Sequence, residues 1–436
     1  MGSGECKIAN IMQENGNGSV PSILSKVSLF KGDKVLGVII PILLVISTLV
    51  VYSSVAKMGY AHMGTQTNAI FTKHLIVISI SVLTMVGFYF MPARFLYRIA
   101  PIAYAACWLF TLGVYFFGAN TNGAARWYDF GFSVQPSELL KVATILLLAR
   151  VLDQTQQTIN KQQLIPSLNP WKWGKKHRTK QLDILLNGTV KILLPILASV
   201  AVIVKAHNSS ALLVFGIGTV MLFIARAKIW EICKFVLLIA AVGALYIGIG
   251  GGRTGTASSR ISNFVSSWTA PADTTMTRTL SDADHAMVAI YDGGLFGVGA
   301  GQSVMRAKIT HPESDYIFSF FVEEYGIVMG MILVILYAWI FARALTIFRN
   351  CRWLFGGLLV LGLALMITSQ AILHFMVSTH LFMETGQNLP LISHGGTSML
   401  CTAAALGIIL SISRQANNHT LTPPEGTAGM TVEDNE

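Results

Sequence analysis

Charge is what this sequence has least of. Only 12% of its 436 residues are Asp, Glu, Lys or Arg, about half the ~25% found in soluble domains, while 53% are hydrophobic. So little polar surface excludes a water-soluble enzyme of this length and points to a bilayer protein. Cysteine is sparse too. Cys6, Cys107, Cys233, Cys351 and Cys401 form no CxxC pair and none falls in a link expected on the outer face, which argues against a disulfide framework. No HExxH or comparable ligand spacing is present, so a zinc site is not expected. A P-loop, a GxSxG elbow and a GxGxxG after a strand are also missing, which argues against direct nucleotide use. No cleavable signal peptide is evident: residues 1–34 are polar and read as a disordered cytoplasmic lead-in.

Long apolar runs are abundant. A span needs about 20 mainly apolar residues, and ten candidates lie at 35–55, 71–91, 97–118, 136–152, 189–206, 209–226, 229–250, 315–346, 353–380 and 393–413. The fourth is short, the eighth long enough to tilt, and the fifth and sixth are split only by His207-Asn208-Ser209-Ser210. The expected fold is an all-α polytopic membrane protein with about ten transmembrane helices. Its membrane domain is 35–413, with a large extracytoplasmic loop at 251–314 between spans seven and eight. Residues 414–436 read as a disordered cytoplasmic tail.

The net charge of +10 would suit a nucleic-acid partner, but the cations sit in short links between apolar runs, so none is expected. Arg94 and Arg98 follow the second span. Lys172, Lys175, Lys176, Arg178 and Lys180 lie in the basic link 153–188. Arg226 and Lys228 follow the sixth span, and Arg343, Arg349 and Arg352 close the eighth. These links alternate, which puts them and both termini in the cytoplasm of a multi-pass protein. No internal repeat marks a symmetric rocking carrier.

Three polar stretches interrupt the apolar pattern, and ionisable groups at membrane depth tend to be functional. The loop carries Asp273, Asp282, Asp284, Asp292, Glu313 and, just beyond it, Asp315, with Arg253, Arg260, Arg278, Arg306 and Lys308. It reads either as a solvated connector or as the working face of a membrane enzyme. Any of Asp273, Asp282, Asp284 and Asp292 could be its active acid. Ahead of the fourth span, Pro136 suits a first helical turn, and Glu138 and Lys141 share a face. They form either a self-neutralising surface pair or part of a cavity. Before the last span, Leu389-Pro390-Leu391-Ile392-Ser393-His394-Gly395-Gly396 suits close packing or a broken helix start. His374 and His380, in the ninth span, read as satisfied core groups rather than metal ligands.

NGAARWYDFGFSVQPSELLK (122–141) and LPLISHGGTSML (389–400) resemble two motifs of the RodA/FtsW/SpoVE family. Trp268, Pro271 and Asp273 follow its W…P…D stretch. Gly293-Gly294-Leu295-Phe296-Gly297, Pro312-Glu313, Asp315-Tyr316-Ile317-Phe318 and Glu323-Glu324-Tyr325-Gly326 keep its order. LPL rather than LPF points to an FtsW-like member. There are departures. The family's usual QPDxGTA is Lys205-Ala206-His207-Asn208-Ser209-Ser210-Ala211 here, so no role passes to the missing acid. His394 stands for a Tyr and His374 for an Asn.

The resemblance implies a peptidoglycan glycosyltransferase polymerising lipid II outside the bacterial cytoplasmic membrane, in cell division more than in shape. Its implied partners are a class B penicillin-binding transpeptidase and other divisome or elongasome membrane proteins. Asp273 becomes the expected general base. Glu138, Lys141, Arg126, Arg260, Arg306, Lys308, Ser393, Gly395 and Gly396 become expected substrate contacts. A divalent cation, Mg or Mn, would fit between diphosphate and carboxylate, though no ligand cluster requires one. A lipid II flippase and a non-catalytic scaffold for the transpeptidase are the rival readings.

The orientation is testable. A cysteine placed at Ser281 is expected to react with a membrane-impermeant thiol reagent only from outside the cell, and one at Lys175 only from inside. The reverse pattern overturns the topology.

Overall fold

The structure is a computed structural model describing residues 31–56, 65–121, 124–129, 133–160, 163–166, 182–248, 260, 262, 264–265, 281–309, 314–418 and 421. Helices stand at all ten expected places. They are α1 (Lys34–Ala56), α2 (Thr65–Phe90), α3 (Ala93–Phe117), α4 (Pro136–Ile159), α5 (Leu194–Ala206), α6 (Asn208–Ile224) and α7 (Ile229–Gly248). After the shorter α8 (Asp282–Gly293) come α9 (Ile317–Asn350), α10 (Leu354–Ser378) and α11 (Gly396–Asn417). Helix α5 continues a π-helical stretch, Ile184–Leu193. Among the described residues seven helices are long and apolar enough to cross a membrane: α1, α2, α3, the π stretch with α5, α9, α10 and α11. Helix α6 is apolar but has 17 residues, and α4 carries Glu138, Lys141, Arg150 and Asp153. The chain is a polytopic helical membrane protein.

Two features differ from the sequence reading. The fold was expected to be all-α, but the link between α3 and α4 forms a small antiparallel sheet of β1 (Ala119–Thr121), β2 (Ala124–Asp129) and β3 (Ser133–Val134). Asn122-Gly123, between β1 and β2, is a strong hairpin signal in the sequence. Tyr128 of β2 stacks on Phe110 of α3 at 4.8 Å and fastens the sheet to the bundle. The second feature is α9. It was expected to accommodate its length by tilting, yet it breaks at Gly326, whose φ is +85°. A side chain there would collide with the backbone of Leu295.

The turn after α8 fills the break. Val298 N–H donates to Glu323 O at 2.9 Å and Gly299 N–H to Glu324 O at 3.0 Å, while Gly294 O accepts from Ile327 N–H at 2.9 Å. Carbonyls freed by the broken helix are thus re-satisfied by the loop, as burial requires. The neighbouring carboxylates work the same way. Glu323 accepts from Ser303 Oγ (2.5 Å), Val304 N–H (2.8 Å) and Met305 N–H (3.2 Å), and Glu324 from Ser53 Oγ (2.7 Å) and Gly301 N–H (2.8 Å).

At the opposite end, which we call the tail end, Asp153 of α4 accepts from Trp353 Nε1 (3.3 Å) and Phe355 N–H (3.1 Å) and fixes the start of α10. Arg150 lies over the Tyr97 ring at 4.8 Å and donates to the Tyr97 carbonyl, tying α3 to α4. Helices α10 and α11 supply much of the shared apolar core.

Replacing Gly326 by alanine is expected to cost at least about 1–3 kcal/mol from the left-handed backbone alone. Thermal unfolding of the purified protein in detergent reads this as a lowered melting temperature. An unchanged transition would mean that the loop does not depend on the break.

Candidate functional site at the loop end

The end carrying the large loop, here the loop end, is where α4, α6, α9 and α11 begin. Helix starts leave N–H groups unpaired and carry partial positive charge. Gln135, Tyr316 and Gly395, the residues preceding α4, α9 and α11, make no side-chain cap. Two of these starts are tied directly together: Gln135 N–H donates to Thr397 Oγ1 at 3.2 Å. That bond sets the Ser393–Gly396 turn beside the first turn of α4.

Glu138 lies in that first turn of α4 and Lys141 one turn further in, with Glu138 Oε1 2.7 Å from Lys141 Nζ. The pair is not a surface pair: Lys141 is 1% exposed and Glu138 7%. An exposed ion pair contributes little, but removing one partner of a buried pair strands a charge. Lys141 Nζ is at ion-pair distance yet makes no well-aligned hydrogen bond, so its protons keep capacity for a second anion. Deeper in, Lys141, Thr144 and Leu148 of α4 face Val214, Gly218 and Met221 of α6 across a cleft of about 10 Å³, too narrow for a prenyl chain.

The segment joining α10 to α11 is the hub of this end. Ser393 Oγ donates to Ser314 O at 2.9 Å and accepts from Leu389 N–H at 2.8 Å. A side chain on Gly395 would crowd Asn388, whereas Gly396 has open space. Arg260, from the large loop, donates to Glu384 O at 3.1 Å, and the Tyr316 hydroxyl donates to Glu384 Oε1 at 2.9 Å. Burial, then the Glu384 carboxylate, raises the Tyr316 hydroxyl far above its ordinary range, so it remains a donor. His207 and His374 grip the same segment from α6 and α10.

The other expected site residues fall in different settings. Arg306 is buried, donates to Ser53 O and lies 5.6 Å from the Phe320 ring centre. Burial lowers its pKa, opposed by Glu324 and Glu323. Lys308 is exposed. Arg126 has its backbone in β2. Asp273 lies outside the described residues. Of the acids left open by the residues alone, Asp284 is engaged in a capping box: it accepts from Ser281 N–H at 2.8 Å, and Ser281 Oγ accepts from Asp284 N–H at 3.3 Å. Asp282 opens α8, and Asp292 is exposed near its end. Among the described residues no group of three or more His, Cys, Asp or Glu side chains could hold a metal ion. Sequence reasoning missed Glu384 and Gln387. Their signal was the polar run Glu384-Thr385-Gly386-Gln387-Asn388 between Met383 and Leu389.

The fold and this polar end define a multi-pass helical membrane protein with a buried ion pair at the start of α4 beside the start of α11. The family model described as cell cycle protein, FTSW_RODA_SPOVE, matches residues 34–418. The chain is 30% identical over 303 residues to a protein of Thioalkalivibrio sulfidiphilus named probable peptidoglycan glycosyltransferase FtsW, covering 68% of each. It is 27% identical over 301 residues to the stage V sporulation protein E of Bacillus subtilis, covering 68% of this chain and 73% of that one. In fold it resembles a chain from a peptidoglycan synthase complex that coordinates polymerization and crosslinking (TM-score 0.63, 20% identity, 86% of this chain and 97% of that one). The rod shape determining protein RodA of Thermus thermophilus is also similar in fold (TM-score 0.55, 22% identity, 86% and 96%). The chain belongs to the FtsW/RodA/SpoVE family, and its relatives favour an FtsW-like member.

Lys141→Met is expected to lower stability by about 3–5 kcal/mol, since it leaves Glu138 buried without its countercharge. Adding Glu138→Gln should recover much of that loss. Denaturant or thermal unfolding of the single and double variants checks this, and equal losses in both would refute the pairing.

Proposed function

We propose that this chain polymerises lipid II into glycan strands at the outer face of the bacterial cytoplasmic membrane, in cell division. Both termini lie in the cytoplasm in this reading. The membrane domain is 35–413, between tails at 1–34 and 414–436, and loop 251–314 is extracytoplasmic. The observation that carries the proposal is the buried Glu138–Lys141 pair set among helix starts without side-chain caps, in a chain whose relatives are named as peptidoglycan glycosyltransferases. Helix starts beside a buried cation suit the diphosphate of a lipid-linked sugar donor.

The chemistry needs two things. The departing undecaprenyl diphosphate needs its charge stabilised, for which Lys141 and the helix starts are suited. Arg126, Arg260, Arg306, Lys308, Ser393, Gly395 and Gly396 complete the substrate contacts in this proposal. The acceptor's 4-hydroxyl must lose its proton as its oxygen bonds to the donor's anomeric carbon. Asp273 takes that proton, a role worth about 10²–10⁴-fold. The bond from the anomeric carbon to the diphosphate oxygen breaks as the new one forms, so the configuration inverts, as with an inverting glycosidase. The partner in this reading is a class B penicillin-binding transpeptidase. The similarity to a chain of a complex that coordinates polymerization and crosslinking supports it.

A carrier or a scaffold would need no acid in the loop. In detergent, where there are no leaflets to cross, the purified chain with its transpeptidase is expected to make glycan strands from lipid II. Asp273→Asn should reduce synthesis by about 10²-fold or more. Wild-type strand synthesis by Asp273→Asn removes the base assignment. Failure of the wild type itself leaves the flippase or the scaffold.

A further inference from the structure

The segment from Gly386 to His394 is irregular, buried over much of its length and clasped by imidazoles. His207 precedes α6 in extended conformation, and its Nδ1 accepts Ser210 N–H at 3.2 Å. A backbone N–H can only donate, so Nδ1 carries no proton and Nε2 must carry one. That Nε2–H is the donor to Gly386 O, 3.2 Å away. The Gln387 amide nitrogen also points at Nδ1, 3.3 Å away, and donates to Ser210 Oγ at 2.9 Å. His374 repeats the logic from α10. Its Nε2 accepts Phe318 N–H, in the first turn of α9, at 3.4 Å, so its Nδ1–H donates to Gln387 O at 2.9 Å.

The arrangement recurs at the far end of the segment. Ser47 Oγ donates to Ile392 O at 3.0 Å, so it accepts from His74 Nε2–H at 3.2 Å. His74 Nδ1 then accepts from His394 Nδ1–H at 3.3 Å. Two consecutive carbonyls are therefore each held by a neutral imidazole whose other nitrogen caps a helix start.

We infer that His207 and His374 are positioning residues, a neutral clamp that fixes the 386–387 backbone and, through it, the hub that meets Arg260, Tyr316 and Ser314. This rests on the glycosyltransferase reading for its purpose, not for its mechanics. Protonating either imidazole turns a nitrogen that accepts a helix-start N–H into a donor facing a donor. It also adds positive charge at the positive end of α6 or α9. The clamped form has no site for the extra proton and the opened form has one, so falling pH favours opening. The titratable groups on the elements packed around the pair are Asp315 and Tyr316 ahead of α9, Glu384 on the segment itself, and Arg260 of the loop. Among the described residues, the elements packed on α6 and α10 also carry Glu138 and Lys141 of α4, Asp282, Asp284 and His285 of α8, Glu323 and Glu324 of α9, Lys205 at the end of α5, over the Tyr115 ring, and Tyr337 of α9, which donates to Pro390 O.

The test is hydrogen–deuterium exchange on the intact protein, at pH about 8 and about 5, either side of the ordinary imidazole value of about 6.5, corrected for intrinsic rates. Peptides covering 383–394 are expected to lose protection by about tenfold or more at the lower pH. The double variant His207→Gln/His374→Asn, whose amides can donate and accept but do not titrate, should show no such loss. Equal protection at both pH values in the wild type overturns the clamp whatever the variants do. So does a double variant that opens like the wild type, because the proton would then act at Asp315 or Glu384. Lipid II polymerisation, measured alongside, should show a wild-type acid limb that moves to lower pH in the double variant. Absence of polymerisation at every pH would sink the enzyme reading while leaving the exchange result to decide the clamp.

Discussion

The loop end depends on one constraint: irregular backbone buried among membrane helices must find every hydrogen bond inside the protein. The segment from Glu384 to His394 has no helix of its own, yet Leu389, Leu391, Ile392 and Ser393 are buried. Its carbonyls are taken in turn by Arg260 at Glu384, His207 at Gly386, His374 at Gln387, Tyr337 at Pro390 and Ser47 at Ile392. Those donors come from the large loop, the α5–α6 junction, α10, α9 and α1. Leu391 is held at φ +66°, a conformation unfavourable for a branched apolar residue and kept only where the surroundings over-determine it. The segment is the point at which five elements are registered.

Two groups of buried charge lie at this end, and they are built for different work. Both oxygens of Glu323 are consumed: Ser303 holds one, and the backbones of Val304 and Met305 hold the other. Such a carboxylate is bound into the fold, and it anchors the turn that fills the break at Gly326. Glu138 and Lys141 are as deeply buried but satisfied mainly by each other. A buried pair with donor capacity remaining is costly as structure and useful as a receptor for a second anion. Burial alone does not separate the two groups. The number of backbone partners does.

Much of this organisation was legible in the sequence, for physical reasons. A span announces itself by length and apolarity, so helices appear at all ten expected places, including the pair divided at His207. Glu138 and Lys141 were placed on one face by their spacing of three. Their burial could not be read, because it depends on α11 closing over the start of α4 through Thr397. The break in α9 was also hidden: a Gly near the start of a mostly apolar helix, even after Glu323-Glu324, reads as continuous helix until the loop residues that replace its bonds are known. The sheet at β1–β3 leaves only the Asn122-Gly123 turn signal in the sequence, because its strands of three, six and two residues are too short to show a period. Glu384 and Gln387 matter through backbone atoms of distant elements, a relation that no local pattern carries.

The departures at 207 and 374 make sense together only in this light. Where the family usually places an acid, a carboxylate at position 207 could accept Ser210 N–H and cap α6, but it could not donate to Gly386 O. Histidine does both, and does so without charge. Neutrality matters here, because Asp315 and Glu384 already bring negative charge to the same end, and Glu138 must be balanced by Lys141. One more carboxylate would add like-charge repulsion at this end and compete for the donors at the helix starts. At 374 the same reasoning applies to an amide. Asparagine has both a donor and an acceptor but a shorter reach, while the imidazole bridges Phe318 N–H on α9 to Gln387 O with its two ring nitrogens. Two substitutions far apart in the chain thus act on adjacent peptide groups, replacing charge and short reach by a neutral bridge of fixed polarity.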